Sequence, residues 1–201
     1  MKTELKPLIL SKIKTKSLKA FSCYDFTEFA PYKTISKCLE RMEDSSEITR
    51  IIQGVYCLSK IDKVLNLPIL PTIDDVVQCI ARKHKWIICP SGNLALNLMG
   101  LSTQVPASYI YLSNGPYSEY LVYGIKVLFK RTMNREITNY SYKTMLLIQC
   151  IKSLGEETEK TTLIKLRNKL SSKEKQKALK ETSAIQSWIR NKIILICKEE
   201  Q

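Results

Sequence analysis

Lys33 and Lys37 stand one helical turn apart in the run Tyr32-Lys33-Thr34-Ile35-Ser36-Lys37, with the hydroxyls of Tyr32, Thr34 and Ser36 around them. Ammonium and hydroxyl groups at that spacing suit the phosphate oxygens of a nucleic-acid backbone: the lysine acts as a point charge, the hydroxyl as a short-range donor. Both lysines fall in the first half of a helix read over residues 33–44, where the helix dipole also favours phosphate. Arg41 lies on the flank of the same helix, where a neighbouring acid is expected to compete for it. Arg50 and Gln53 carry the set onto the next element. The candidates for DNA contact are therefore Tyr32, Lys33, Thr34, Ser36, Lys37, Arg41, Arg50 and Gln53. Bidentate reading of guanine prefers arginine, so Lys33 and Lys37 are better suited to the backbone than to base edges. The plainer alternative is a small helical core with a hairpin and no nucleic-acid role.

Other reactive residue types lead elsewhere or nowhere. Asp74, Asp75, His84 and Ser91 share one segment, but no Gly-x-Ser-x-Gly elbow, Walker loop, dinucleotide glycine fingerprint or metal-ligand spacing accompanies them. His84, between Lys83 and Lys85, fits a charged helix end. No catalytic activity and no cofactor are expected. Seven cysteines never fall as C-x-x-C, and the chain has a single histidine, so a zinc site is not expected either. Reduced thiols at apolar positions behave as small hydrophobes.

The elements that must hold the candidates are legible from periodicity. Ile35, Cys38, Leu39 and Met42 fall at i, i+3, i+4 and i+7, which gives the helix at 33–44 one buried face. A short helical run at 24–29 precedes it, and Pro31 forces a turn between the two. Two β-prone runs follow, at 48–52 and 55–58, joined at Gln53-Gly54. An earlier helix starts near Lys6-Pro7 and buries Leu5, Leu8, Ile9 and Ile13. Helix, turn, helix and hairpin in this order predict a winged helix-turn-helix, whose second helix enters the major groove and whose hairpin touches the backbone.

Pro68 and Pro71 break the pattern, and the domain boundary is placed there: a winged helix-turn-helix at 1–60 and a second domain at 61–201. The apolar segment between them (Val64, Leu65, Leu67, Ile69, Leu70) is expected to pack on one domain. Thr72 with Asp75 forms a capping-box relative opening the next helix. A strand at 86–89, a helix at 92–99 capped by Ser91, and strands at 109–112 and 125–129 follow. From about residue 141 the chain is helical, and Ser171 with Glu174 makes a second capping box. The fold class is α+β: an N-terminal winged helix-turn-helix, then a mixed α/β domain with a helical C-terminus.

A net charge of +13 favours polyanionic partners, and the surplus is heaviest at the C-terminus, where residues 141–201 hold 13 basic and 7 acidic side chains. Lys165, Arg167, Lys169, Lys173, Lys175, Lys177 and Lys180 form a run there that reads as a solvated face or a second phosphate-facing patch. No apolar run approaches a membrane span, and the N-terminus lacks a usable signal peptide, so a cytoplasmic protein without membrane contact is expected.

Two stretches carry a family resemblance. Gln53-Gly54-Val55-Tyr56 matches a Gly-Val/Ile-Tyr hairpin that closes a winged helix. Pro90-Ser91-Gly92 followed by Asn97-Leu98-Met99-Gly100-Leu101-Ser102-Thr103-Gln104-Val105-Pro106 matches a more specific signature. Together they resemble the antitoxins of AbiEi-type abortive-infection (type IV toxin–antitoxin) systems and related uncharacterised bacterial winged-helix proteins. That resemblance implies a DNA-binding antitoxin for phage defence. It would repress transcription from its own promoter and oppose a nucleotidyltransferase-like toxin encoded alongside. A homodimer on a palindromic operator would suit such a role. The alternatives are a winged-helix protein-docking adaptor and a stand-alone transcriptional regulator.

Overall fold

The computed structural model describes residues 5–104, 106–132 and 139–198. Its architecture is α+β: an N-terminal helix and strand segment, a central mixed region and a C-terminal helical bundle. The chain forms two compact units. One comprises the residues up to Trp86 together with Leu121–Gly124; the other comprises Ile87–Tyr120 and the residues from Ile125 onwards.

In the first unit, α1 (Leu5–Thr15) and α2 (Tyr32–Asp44) bury Ile9, Ile13, Ile35, Leu39 and Met42 in a common core. The expected stripe of α2 is present, with Cys38 only partly buried. The run expected as a helix at 24–29 is a single 3-10 turn, Cys23–Phe26. Asp25 explains its brevity: its Oδ2 accepts from the Ser22 N–H at 2.8 Å and from the Ser22 hydroxyl at 3.2 Å, which closes the turn on itself. Antiparallel strands β1 (Ile48–Ile52) and β2 (Val55–Leu58) form the hairpin, with an irregularity between Arg50 and Ile52. Gly54 turns it with a φ of +75°, a left-handed conformation that glycine adopts without strain. Phe21 and Tyr56 exchange backbone hydrogen bonds of 2.9 and 2.8 Å, which ties the hairpin back to the helical core.

This unit continues past residue 60 to include α3 (Ile73–His84). The Thr72–Asp75 capping box opens α3, and near its end Arg82 donates to Asp25 Oδ1 at 2.9 Å and to the Ala20 carbonyl at 2.8 Å. Residues 60–70 depart from expectation, because their aliphatic side chains are not packed away. Val64 is 91% exposed and Leu65 68%, and Ile61, Leu67, Ile69 and Leu70 are exposed too. The segment instead folds on itself. Asp62 Oδ1 accepts from the Val64 and Leu65 amides at 2.8 and 3.0 Å, and Ile61 bridges Pro68. A turn that tight has no inner side in which to bury a side chain.

Strands β3 (Ile88–Pro90), β4 (Ser108–Ser113), β5 (Ser118–Val122) and β6 (Ile125–Arg131) form a sheet of order β3-β4-β6-β5. β3 and β4 are antiparallel, β4 and β6 parallel. α4 (Asn93–Leu98) follows β3, but Ser91 does not cap it. Gly92 occupies the N-cap at φ 55°, and the Ser91 hydroxyl donates to the Ile110 carbonyl at 3.3 Å. The Asn97 side-chain amide donates to the carbonyls of Ser102 and Gln104 at 3.2 and 3.0 Å, so the signature stretch is a pinned loop. Val105 lies outside the described residues. The bundle consists of α5 (Tyr142–Leu154), α6 (Lys160–Asn168), α7 (Ser172–Glu181) and α8 (Ser187–Cys197) around Leu147, Cys150, Leu166, Ile189 and Ile193. The Ser171–Glu174 capping box opens α7. No helix among the described residues is long and apolar enough to cross a membrane.

Candidate nucleic-acid interface

Pro31 ends the preceding turn and stands at the N-cap of α2, so Tyr32, Lys33 and Thr34 form its first turn. The next two turns repeat the buried positions Ile35, Leu39 and Met42, which fixes the rotation of the helix. Lys33, Thr34, Lys37 and Arg41 are consequently exposed. They line a cleft of about 470 Å³ together with Leu5 and Lys6 of α1 and with Cys38. Among the described residues no carboxylate lines it. Lys33, Lys37 and Arg41 recur every fourth residue, a cationic row about 12 Å long at 1.5 Å of rise per residue.

Among the described residues no ion pair engages Lys33, Lys37 or Arg41. Arg41 was expected to be drawn away by an acid, and it is Arg50 that is so engaged. Arg50 meets Glu43 Oε2 at 2.6 Å and lies over the Tyr56 ring at 5.4 Å from its centroid. The hairpin folds back along α2, which brings Arg50 to the acid first. Lys6, which the sequence reading passed over, borders the cleft while paired with Glu47 at 2.6 Å. Exposed Glu40, between Lys37 and Arg41 in the chain, and Asp44 lie outside the cleft lining.

The remaining candidates divide. Gln53 is exposed at the hairpin turn. Ser36 is half-buried, and its hydroxyl and that of Tyr32 both act on the buried Cys23 thiol. Burial pushes the Cys23 thiol up in pKa, opposed by those two hydroxyls and by the charge of Lys83. Tyr32 is pushed up chiefly by the negative charge its neighbour Cys23 would carry, then by burial. Tyr32 also meets Tyr24 with ring centroids 5.2 Å apart, and both rings remain exposed. Tyr32 and Ser36 thus brace the start of α2, while Lys33, Thr34, Lys37 and Arg41 form the open charged surface.

The residues weighed for catalysis have local roles. Asp75 closes the capping box and meets Lys19 at 3.4 Å; the His84 ring stacks on Trp86 at 4.6 Å; Ser91 serves the Ile110 carbonyl. Burial, then the charge of Lys83, pushes the His84 pKa down. Six of the seven cysteines are buried, and burial raises Cys79, Cys89 and Cys150 to about 12, far from a reactive thiolate.

In the C-terminal run, Arg167 donates to the carbonyls of Ile196 and Leu195 at 3.3 and 3.0 Å and so closes the end of α8. Lys165, Lys169, Lys173, Lys177 and Lys180 are exposed, and Lys175 is half-buried.

A protein family described as "Family of unknown function (DUF6088)" matches residues 8–179. Among solved structures, that of the RV2827C protein from Mycobacterium tuberculosis aligns with 96% of this chain and 76% of its own, at 10% identity and a TM-score of 0.42. No curated protein matches the chain.

Proposed function

The chain belongs to the DUF6088 family, and on that premise we propose that it is a DNA-binding transcriptional autorepressor and the antitoxin of an AbiE-like system. One observation carries the DNA-binding part: a winged-helix-like unit presents an open cleft whose charged side chains, Lys6, Lys33, Lys37 and Arg41, are all cationic. Phosphate attraction of this kind is independent of sequence and weakens with salt. Lysines facing the backbone position the helix and carry no sequence information of their own. The antitoxin part is supported by the Pro90–Gly92 and Asn97–Pro106 signature. The protein acts without catalysis, in the cytoplasm, as a homodimer on a two-fold operator.

Replacing Lys33 and Lys37 together by Glu tests the interface. The parent should shift a fragment of its own upstream DNA in a gel, and the double variant should not. Each phosphate contact removed should flatten the log–log salt dependence by about one unit. An equal shift by both proteins would sink the assignment. Co-expression with a nucleotidyltransferase encoded in the neighbouring reading frame tests the second part: relief of growth arrest supports an antitoxin, and persistent arrest leaves a stand-alone regulator.

The exposed aliphatics at 61–70 favour a second reading, in which the first unit docks a protein. Retained partner binding by a Lys33/Lys37 double variant that has lost all DNA binding would support it.

A further inference from the structure

We infer that the end of α3 supplies a third contact with the duplex backbone, through Lys83, beside those of α2 and the hairpin. This rests on the DNA-binding reading and names a residue outside the helix-turn-helix for it. Lys83 belongs to the same compact unit as the hairpin. A Cβ built on Gly54 would lie 3.2 Å from Lys83 Nζ, so the ammonium sits against the hairpin turn, next to Gln53. The same ammonium acts electrostatically on Cys23. Lys83 therefore stands at the turn of the wing.

Its position is held from behind. Arg82, the preceding residue, is fixed to Asp25 and to the Ala20 carbonyl, which sets the rotation of the last turn of α3. Among the described residues no acid pairs with Lys83. An unpaired ammonium at the wing turn is suited to one phosphodiester oxygen, as a point charge on a partly ordered stem. Gly54 lacks a side chain because of its left-handed φ, and a Cβ there would only nudge the flexible ammonium.

Gel-shift titrations across a salt series, with the protein's own upstream DNA and an unrelated duplex, test this on the full chain. Lys83→Gln should flatten the slope of log affinity against log salt by about 0.9, equally for both duplexes, since one phosphate contact is lost. Lys83→Arg should restore the parental slope. Lys60→Gln, an equal loss of charge elsewhere on the unit, should leave the slope unchanged, and thermal melts verify folding of each variant. A parental slope in Lys83→Gln overturns the inference while the DNA-binding reading stands. So does a Lys60→Gln variant that flattens the slope as much. If the parent binds neither duplex in a salt-sensitive way, the DNA-binding reading fails and the inference with it. Should Lys83→Gln melt early, Lys83→Met, which keeps the stem, replaces it under the same criteria.

Discussion

Glu181 illustrates how one carboxylate joins two helices. Its Oε2 accepts from the Ser141 N–H and hydroxyl, each at 2.9 Å, so the end of α7 closes the start of α5. Burial pushes its pKa up, but hydrogen bonds from Thr144 and from Ser141 outweigh burial and hold it below the usual glutamate range. A depressed carboxylate contributes stability that is complete above its unfolded pKa, about 4.3, and that is lost as pH falls through the folded value. Glu181→Gln should therefore destabilise the protein by about 1 kcal/mol at neutral pH and by less in acid, where the parent has lost the same contacts. Urea melts on both sides of that window check the sign. At this scale the sequence was a partial guide. Lys33, Thr34 and Lys37 are where helical spacing puts them, because a helix face is a local property. The partner of Arg50 was not legible, since the meeting with Glu43 depends on how the hairpin folds back.

Among the elements, α3 is tied to the helical core through Arg82. Arg82→Ala would remove both of its anchors and leave Asp25, whose side chain is 10% exposed, with the contacts of its own turn and a long one of 4.0 Å from the Cys79 thiol. A loss of about 1–3 kcal/mol is expected, with Arg82→Lys intermediate because it keeps the charge and loses the fork. Thermal melts of the two variants against the parent measure it. The elements most faithfully foreseen were those defined within a few residues: α2 by its apolar stripe, α3 and α7 by their capping boxes. β5 was missed, because Ser118–Val122 has no alternation of its own and becomes a strand by lying beside β6 across the left-handed pair Tyr123-Gly124. Ser91 was misjudged as a cap for a similar reason: its hydroxyl answers to a carbonyl nineteen residues away. The membership of α3 in the first unit was likewise hidden, for it rests on contacts between residues far apart in the chain, such as that of Arg82 with Asp25 across 57 residues.

For the molecule as a whole, the net charge of +13 supplies a field, and a field attracts polyanions without choosing among them. Reversing Lys173 and Lys180, exposed on α7, should weaken binding to promoter and unrelated DNA by the same factor. Competition gel shifts would then return an unchanged ratio between the two; a changed ratio would make α7 a reader of sequence. The surplus of charge also keeps copies of the chain apart, which matters at residues 60–70. There the Asp62-closed turn holds Val64 and Leu65 out in water with no freedom to tuck them in. Salt that screens the repulsion leaves the greasy tip as it was. Crowded, high-salt solutions are thus where this chain should first begin to clump, and the tip is where the clumping should start.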